Sequence, residues 1–247
     1  MRYFYLLIFC CLLLLSSTTG TAQTLSARQM IDLAIKADNR LRERRLVYQY
    51  DYTLKTDKLT RADEVKSTTT VKAKVRPSRE ISYTVEMLSD SDTTSDNEQK
   101  RKAKKIQEAQ QLMTKIELEK LVENYDYVIK GKASVLNRPC SIIQFTPKPG
   151  LNITSREEKV LHALRGRLWI DQSSFAILQS EATLQKPVSV AWFFATMREL
   201  NFRYTTQLLP NGDPAPATFT LFFDVQVSLG YQRQRQVSTM QNYRKVR

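Results

Sequence analysis

The sequence predicts a mainly β protein, one wide antiparallel sheet of about nine to eleven strands with two helices. Three observations predict it. Apolar and polar residues alternate with period two through most of the chain, the signature of strands with one dry and one wet face. A helical period appears in only two stretches. Parallel strands buried on both faces would read instead as continuous apolar runs, which is not the pattern of Tyr48 to Leu54, Val71 to Val75 or Ile81 to Met87.

The residues from Ser134 to Ala182 organise the rest. They hold Asn137-Arg138-Pro139-Cys140, the apolar run Ser141 to Phe145, Thr146-Pro147-Lys148-Pro149-Gly150, then Leu164 to Asp171 and Phe175 to Glu181. This reads as three antiparallel strands, the last two joined by the turn Asp171-Gln172-Ser173-Ser174.

In chain order, Arg2 precedes the apolar run Tyr3 to Leu15, and small polar residues lead to Gly20-Thr21-Ala22. That is the layout of a secretory leader, with cleavage expected after Ala22; an uncleaved anchor is the alternative. The division is a leader over 1–22 and a single domain over 23–247. Cys10 and Cys11 lie inside the apolar run, away from any lipid-modification position. The net charge is +13, and losing Arg2 with the leader, and no acid, makes it +12. For an exported chain such charge suits anionic lipid head groups, acidic glycans or an acidic partner, or simply a solvated sheet face, rather than nucleic acid. Cys140 alone remains after cleavage, so the core rather than a disulfide holds the fold.

Ser26 with Gln29 three residues on fits a capping box. Met30, Leu33, Ala34, Ala37 and Leu41 then form one stripe of a helix ending near Arg45. Strands follow around Tyr48 to Leu54, Val71 to Val75 and Ile81 to Met87. Ser89 to Asn97 reads as an acidic, mobile loop, and a second helix is expected from about Glu98 to Asn124. Its opening run, Lys100, Arg101, Lys102, Lys104 and Lys105, suits either contact with an anionic membrane or a solvated helix face. Strands return at Tyr125 to Ala133 and, after the organising stretch, at Arg198 to Thr205, Phe219 to Leu229 and Gln234 to Arg244. Leu209 to Pro216, with three prolines, reads as a loop. A sheet this wide closes into a barrel or sandwich, or stays open with helices as a partial plug over an apolar groove.

Catalytic constellations are missing from the sequence. His162 stands alone without metal-ligand spacing, which reads as a packing or surface residue. Asp63/Glu64 and Glu157/Glu158 read as solvated charge in polar loops, and Cys140 as an inert buried thiol. No nucleophile elbow, phosphate loop, dinucleotide fingerprint or CxxC occurs. No catalytic, cofactor-binding or metal-binding residue is assigned, and no cofactor is expected. Trp169, Trp192, Phe193 and Phe194 are candidates for a ligand groove, though aromatics in strands are first of all core. Asn152-Ile153-Thr154 is a formal glycosylation acceptor, meaningful only in a eukaryotic source.

Leu121-Val122-Glu123-Asn124-Tyr125, then Asn137-Arg138-Pro139-Cys140 with its strand into Thr146-Pro147-Lys148, then Gly166-Arg167-Leu168-Trp169-Ile170-Asp171, occur in the order of a known family. With the C-terminal Gln241-Asn242-Tyr243-Arg244-Lys245, the chain from Thr24 onward resembles the outer-membrane lipoprotein-sorting proteins. These are LolA-like carriers and, more distantly, RseB-like and MucB-like sensor domains. Met240 and Val246 stand where aromatics are expected, and Asn137 where glycine is common. The resemblance implies a highly curved, open antiparallel half-barrel with two helices over its concave face. It also implies a non-enzymatic periplasmic carrier of lipid or acylated lipoprotein, with a membrane receptor as a further partner. Its alternative is a sensor module that binds a protein. It carries over no individual ligand-contacting residue.

Overall fold

The computed structural model describes residues 25–78, 82–90, 122–151, 156–191 and 195–246, with positions 95, 97, 100, 104 and 153. The expected leader, most of the second expected helix with its basic run at 100–105, Asn152 with Thr154, and Trp192 to Phe194 lie outside the described residues. Helical backbone at Lys100, Lys104, Val122 and Glu123 falls within the span expected for that helix, and Asn97, expected to end the preceding loop, is helical as well.

The first helix, α1 (Ala27–Arg45), is capped as its sequence dictates: Ser26 Oγ accepts from the Gln29 N–H at 3.2 Å, and Gln29 Oε1 accepts from the Ser26 N–H at 2.8 Å. Its buried residues, Ala27, Ile31, Ala34, Ile35, Ala37 and Leu41, form a stripe wider than expected, Ile31 and Ile35 having been missed. Arg42, Arg44 and Arg45 complete the last turn, where cations favour the carbonyl end of the helix dipole.

The strands are β1 (Tyr48–Leu59), β2 (Val65–Ser78), β3 (Ser82–Asp90), β4 (Tyr125–Val135), β5 (Arg138–Pro147), β6 (Leu164–Asp171), β7 (Ile177–Leu184), β8 (Val188–Ala191), β9 (Ala195–Leu208), β10 (Pro214–Val227) and β11 (Gly230–Lys245). A short helix, α2 (Arg156–Leu161), lies between β5 and β6. All pairings are antiparallel, in the order β3-β2-β1-β11-β10-β9-β7-β6-β5-β4, with β8 paired to β9. Among the described residues β3 and β4 do not meet, so the sheet is open rather than closed. Register shifts interrupt seven of the ten pairings. Each bulge raises the local twist and bends its strand, so a sheet this long coils instead of lying flat.

Three expectations are corrected. The loop after β9 is shorter than Leu209 to Pro216, because β10 begins at Pro214, paired with Leu208, and Pro216 pairs with Thr206. Proline is tolerated there because Pro214 opens the strand and Pro216 adjoins the register shift before Thr218, positions that need no ladder donor. Glu157 and Glu158 lie in α2 rather than a loop; two acidic residues near a helix start oppose no dipole. β8, only four residues long, was not anticipated.

The core sits under α1. Ile31, Ala34 and Ile35 pack with Val122, Ile143 of β5 and Ile170 of β6. Leu41 belongs to a second cluster with Cys140, Ala176 and Leu178. A third, Tyr50, Tyr52, Val71, Ala73, Val75 and Met240, ties β1, β2 and β11 together beyond the helix. No helix among the described residues is long and apolar enough to cross a membrane.

Candidate binding surfaces on the two faces of the sheet

Register decides which side chains share a face. Ile143 opposes Leu168, which opposes Ser180, then Tyr204, Phe219, Ser238, Leu54 and Val71 in turn across the strands. Ile143 touches the α1 cluster, so this row marks the helix side. One pleat away, Ala182, Phe202 and Leu221 stand on the same side. The helix side of β9 and β10 is therefore aromatic and aliphatic. Phe202 and Phe219 stack with centroids 6.0 Å apart, and Phe202, Phe219, Leu221, Phe223 and Leu54 are all only half-buried.

The end of α1 crosses onto this side. Desolvation pushes the Tyr204 phenol up to about 12, with the Asp38–Arg45 pair of α1 beside it. Arg44 pairs with Asp213 of the β9–β10 loop at 3.0 Å. At the other end Tyr125 donates to the Leu161 carbonyl and meets Phe145 edge-on at 5.4 Å; burial raises its phenol to about 12. Phe145 in turn lies over Gly166. A Cβ there would stand 2.5 Å from the Phe145 ring and 2.1 Å from the Glu181 carbonyl, so only glycine fits this β6 position.

The opposite face carries most of the charge. It holds a groove of about 640 Å³ whose walls include Lys130, Arg165, Arg167, Arg203 and Glu181 together with the apolar Phe222, Phe202 and Ala182. Arg167 pairs with Glu181 at 3.1 Å and lies beside the Trp169 ring, 6.0 Å from its centroid. No carboxylate among the described residues pairs with Lys130, Arg165 or Arg203. Nearer β1 some outward cations are matched, Arg235 reaching Asp57 at 3.0 Å and Arg233 reaching Asp63, Asp224 and Glu199, while Lys72 and Lys74 pair with no carboxylate among the described residues.

The residues singled out in the sequence do not converge. His162 is partly buried beside Tyr125, ring centroids 6.4 Å apart, in a packing position. Cys140 is buried, and burial together with nearby Asp171 raises its thiol, which suits an inert side chain. Asp63 sits in the β1–β2 turn bonded to Arg233. Trp169 is half-buried against the Leu41 cluster. Among the described residues no group of three or more His, Cys, Asp or Glu is placed to hold a metal ion. Neither the half-buried rings of β9 and β10 nor the cationic groove was named from sequence, because each is assembled across strands.

No protein-family model and no curated protein matches the chain. Among solved structures it is similar to a DUF1329 family protein from Desulfovibrio piger, at 13% identity over 90% of this chain and 94% of that one, TM-score 0.37. It is also similar to a putative outer membrane lipoprotein-sorting protein domain from Vibrio parahaemolyticus, at 8% identity over 87% and 93%, TM-score 0.35. A third is the Pseudomonas aeruginosa MucA/MucB complex, at 12% identity over 87% and 99%, TM-score 0.28. The lipoprotein-sorting and MucB structures are of the kinds that the sequence resembles.

Proposed function

We propose that the chain is an exported, non-enzymatic carrier, a single domain over 23–247, that holds the acyl chains of a lipid or lipoprotein on the helix side of its sheet. The observation that supports this is the half-buried row Phe202, Phe219, Leu221 and Phe223 on the side that α1 packs against. Each CH₂ moved from water onto such a surface is worth about 0.8 kcal/mol, so an acyl chain of ordinary length binds without polar recognition. Release requires only that the covering elements shift. The leader layout at 1–22 supports a periplasmic setting, with a membrane receptor as a further partner.

The test is binding of a fluorescent fatty-acyl probe to delipidated mature protein. Saturable binding that Leu221→Asp abolishes, with far-ultraviolet circular dichroism unchanged, is the expected result. No binding by the folded wild type overturns the carrier reading. A second reading, a module that docks a protein partner, draws on the cationic groove of the opposite face.

A further inference from the structure

The outer face gathers in one concavity several cations that its own carboxylates do not neutralise, and we propose that this groove docks an acidic, extended segment of a partner protein. The inference rests on the partner-docking reading and names the chemistry of that partner.

Two adjacent cross-strand rows build the groove. Gln144, Arg167, Glu181, Arg203 and Thr220 are successive register partners on β5, β6, β7, β9 and β10. One pleat away Arg165, Thr183, Asn201 and Phe222 repeat the pattern. Lys130 of edge strand β4 closes one end. Adjacent strands lie about 4.8 Å apart, so the first row is roughly 19 Å long, the reach of about six residues of extended chain.

The charge order across the two rows selects the occupant. Arg165 and Arg203, which pair with no carboxylate among the described residues, stand in adjacent rows two strand spacings or roughly 10 Å apart across the strands, with the Arg167–Glu181 pair beside them, which complements two carboxylates with a hydrogen-bond donor between them. A peptide offers this, because backbone N–H groups alternate with side chains. Guanidinium forks match carboxylates two bonds at a time. Gln144 Nε2 already donates to Thr146 and Asn201 Oδ1 accepts from Thr183, so Gln144 Oε1 is the end to match a peptide N–H and Asn201 Nδ2 the end to match a peptide C=O. A continuous phosphate or sulfate polymer would set charge against Glu181. A flat bilayer would not enter the concavity. The charged side chains of the site lie on the face opposite the proposed acyl site, and Phe202 borders both.

The experiment measures fluorescence anisotropy of a labelled eight-residue peptide with Asp at every fourth position and Ser between, on the mature protein. A Lys/Ser peptide, heparin and phosphatidylglycerol vesicles are the comparison ligands. Arg165 and Arg203 are the residues to change, because both are exposed and neither leaves a paired carboxylate behind. The expected result is saturable binding of the acidic peptide alone, weakened about tenfold or more by R165E/R203E and by less than about twofold by K72E, a charge on β2 outside the groove. Glu181→Gln is expected to tighten the acidic peptide. Loss in K72E equal to that in R165E/R203E, or binding indifferent to both, overturns the proposal. So does heparin or the vesicles binding more tightly with the same dependence on Arg165 and Arg203. A partner protein whose binding ignores R165E/R203E would keep the partner reading and remove this groove from it.

Discussion

Arg138 Nη1 donates to Asp171 Oδ2 at 3.0 Å while its Nη2 donates to the Gly212 carbonyl at 2.6 Å, so one guanidinium joins the start of β5 to the end of β6 and to the β9–β10 loop. Asp171 is fully buried and also accepts from the Ser173 N–H and from the hydroxyls of Ser173 and Ser174. Burial works to raise this carboxyl, but the hydrogen bonds outweigh it and hold the group below the ordinary carboxylate range.

A carboxyl depressed in the folded state stabilises the fold above its unfolded pKa, and that contribution is lost as pH falls through the folded value. Arg138→Ala is therefore expected to cost about 2 kcal/mol at neutral pH, since three other donors still serve Asp171. Asp171→Ala, which removes the whole knot, is expected to cost more, about 3 kcal/mol or above. Urea denaturation at pH 7 and pH 3 checks both, with the gap to wild type narrowing at the lower pH.

Gly166→Ala is expected to destabilise by about 2 kcal/mol or more, because the new Cβ meets the Glu181 carbonyl as well as the Phe145 ring. Trimming Phe145 to Ala in the same chain does not rescue it, since the closer atom belongs to the backbone. Restored stability in the double variant would show that the ring alone excludes a side chain.

Arg233 bonds Asp63 of the β1–β2 turn through Nε at 2.7 Å and Asp224 of β10 through Nη1 at 2.9 Å, and lies 4.7 Å from the centroid of the Phe222 ring. The Arg233 hydrogen bonds hold the Asp63 carboxyl low. That contribution is present above the unfolded carboxylate pKa and lost in acid, so Arg233→Met lowers Tm at pH 7 more than at pH 3. A Tm difference constant with pH would mean that packing on Phe222, not the ion cluster, is what Arg233 supplies.

Cys140, with no exposed surface, is expected to resist a thiol reagent until the protein unfolds. Stopped-flow labelling of the mature chain in increasing urea checks this; complete labelling in native buffer would contradict it.

Much of the fold was legible because local chemistry and tertiary demand agree. The Ser26–Gln29 capping box starts α1, and the apolar run Ser141 to Phe145, the proline-rich residues after it and the turn Asp171 to Ser174 mark β5, β6 and β7 in their observed order. Where the two disagree, sequence misled: Pro214 and Pro216 signal a loop, yet strand start and register shift absorb them. The six-residue α2 and four-residue β8 are too short to display a period. The groove was invisible for another reason. Alternation tells which side of a strand Arg167 faces, but its neighbours Glu181 and Arg203 follow from register and from β7 pairing with β9 past β8.

The carrier reading is tested most directly by native mass spectrometry of the mature protein taken from its own envelope without detergent. The account predicts an added mass that solvent extraction releases as an acylated species, and that a Leu221→Asp protein lacks. A wild-type protein that is folded, monodisperse and empty, and that stays empty when offered acyl ligands, would contradict it.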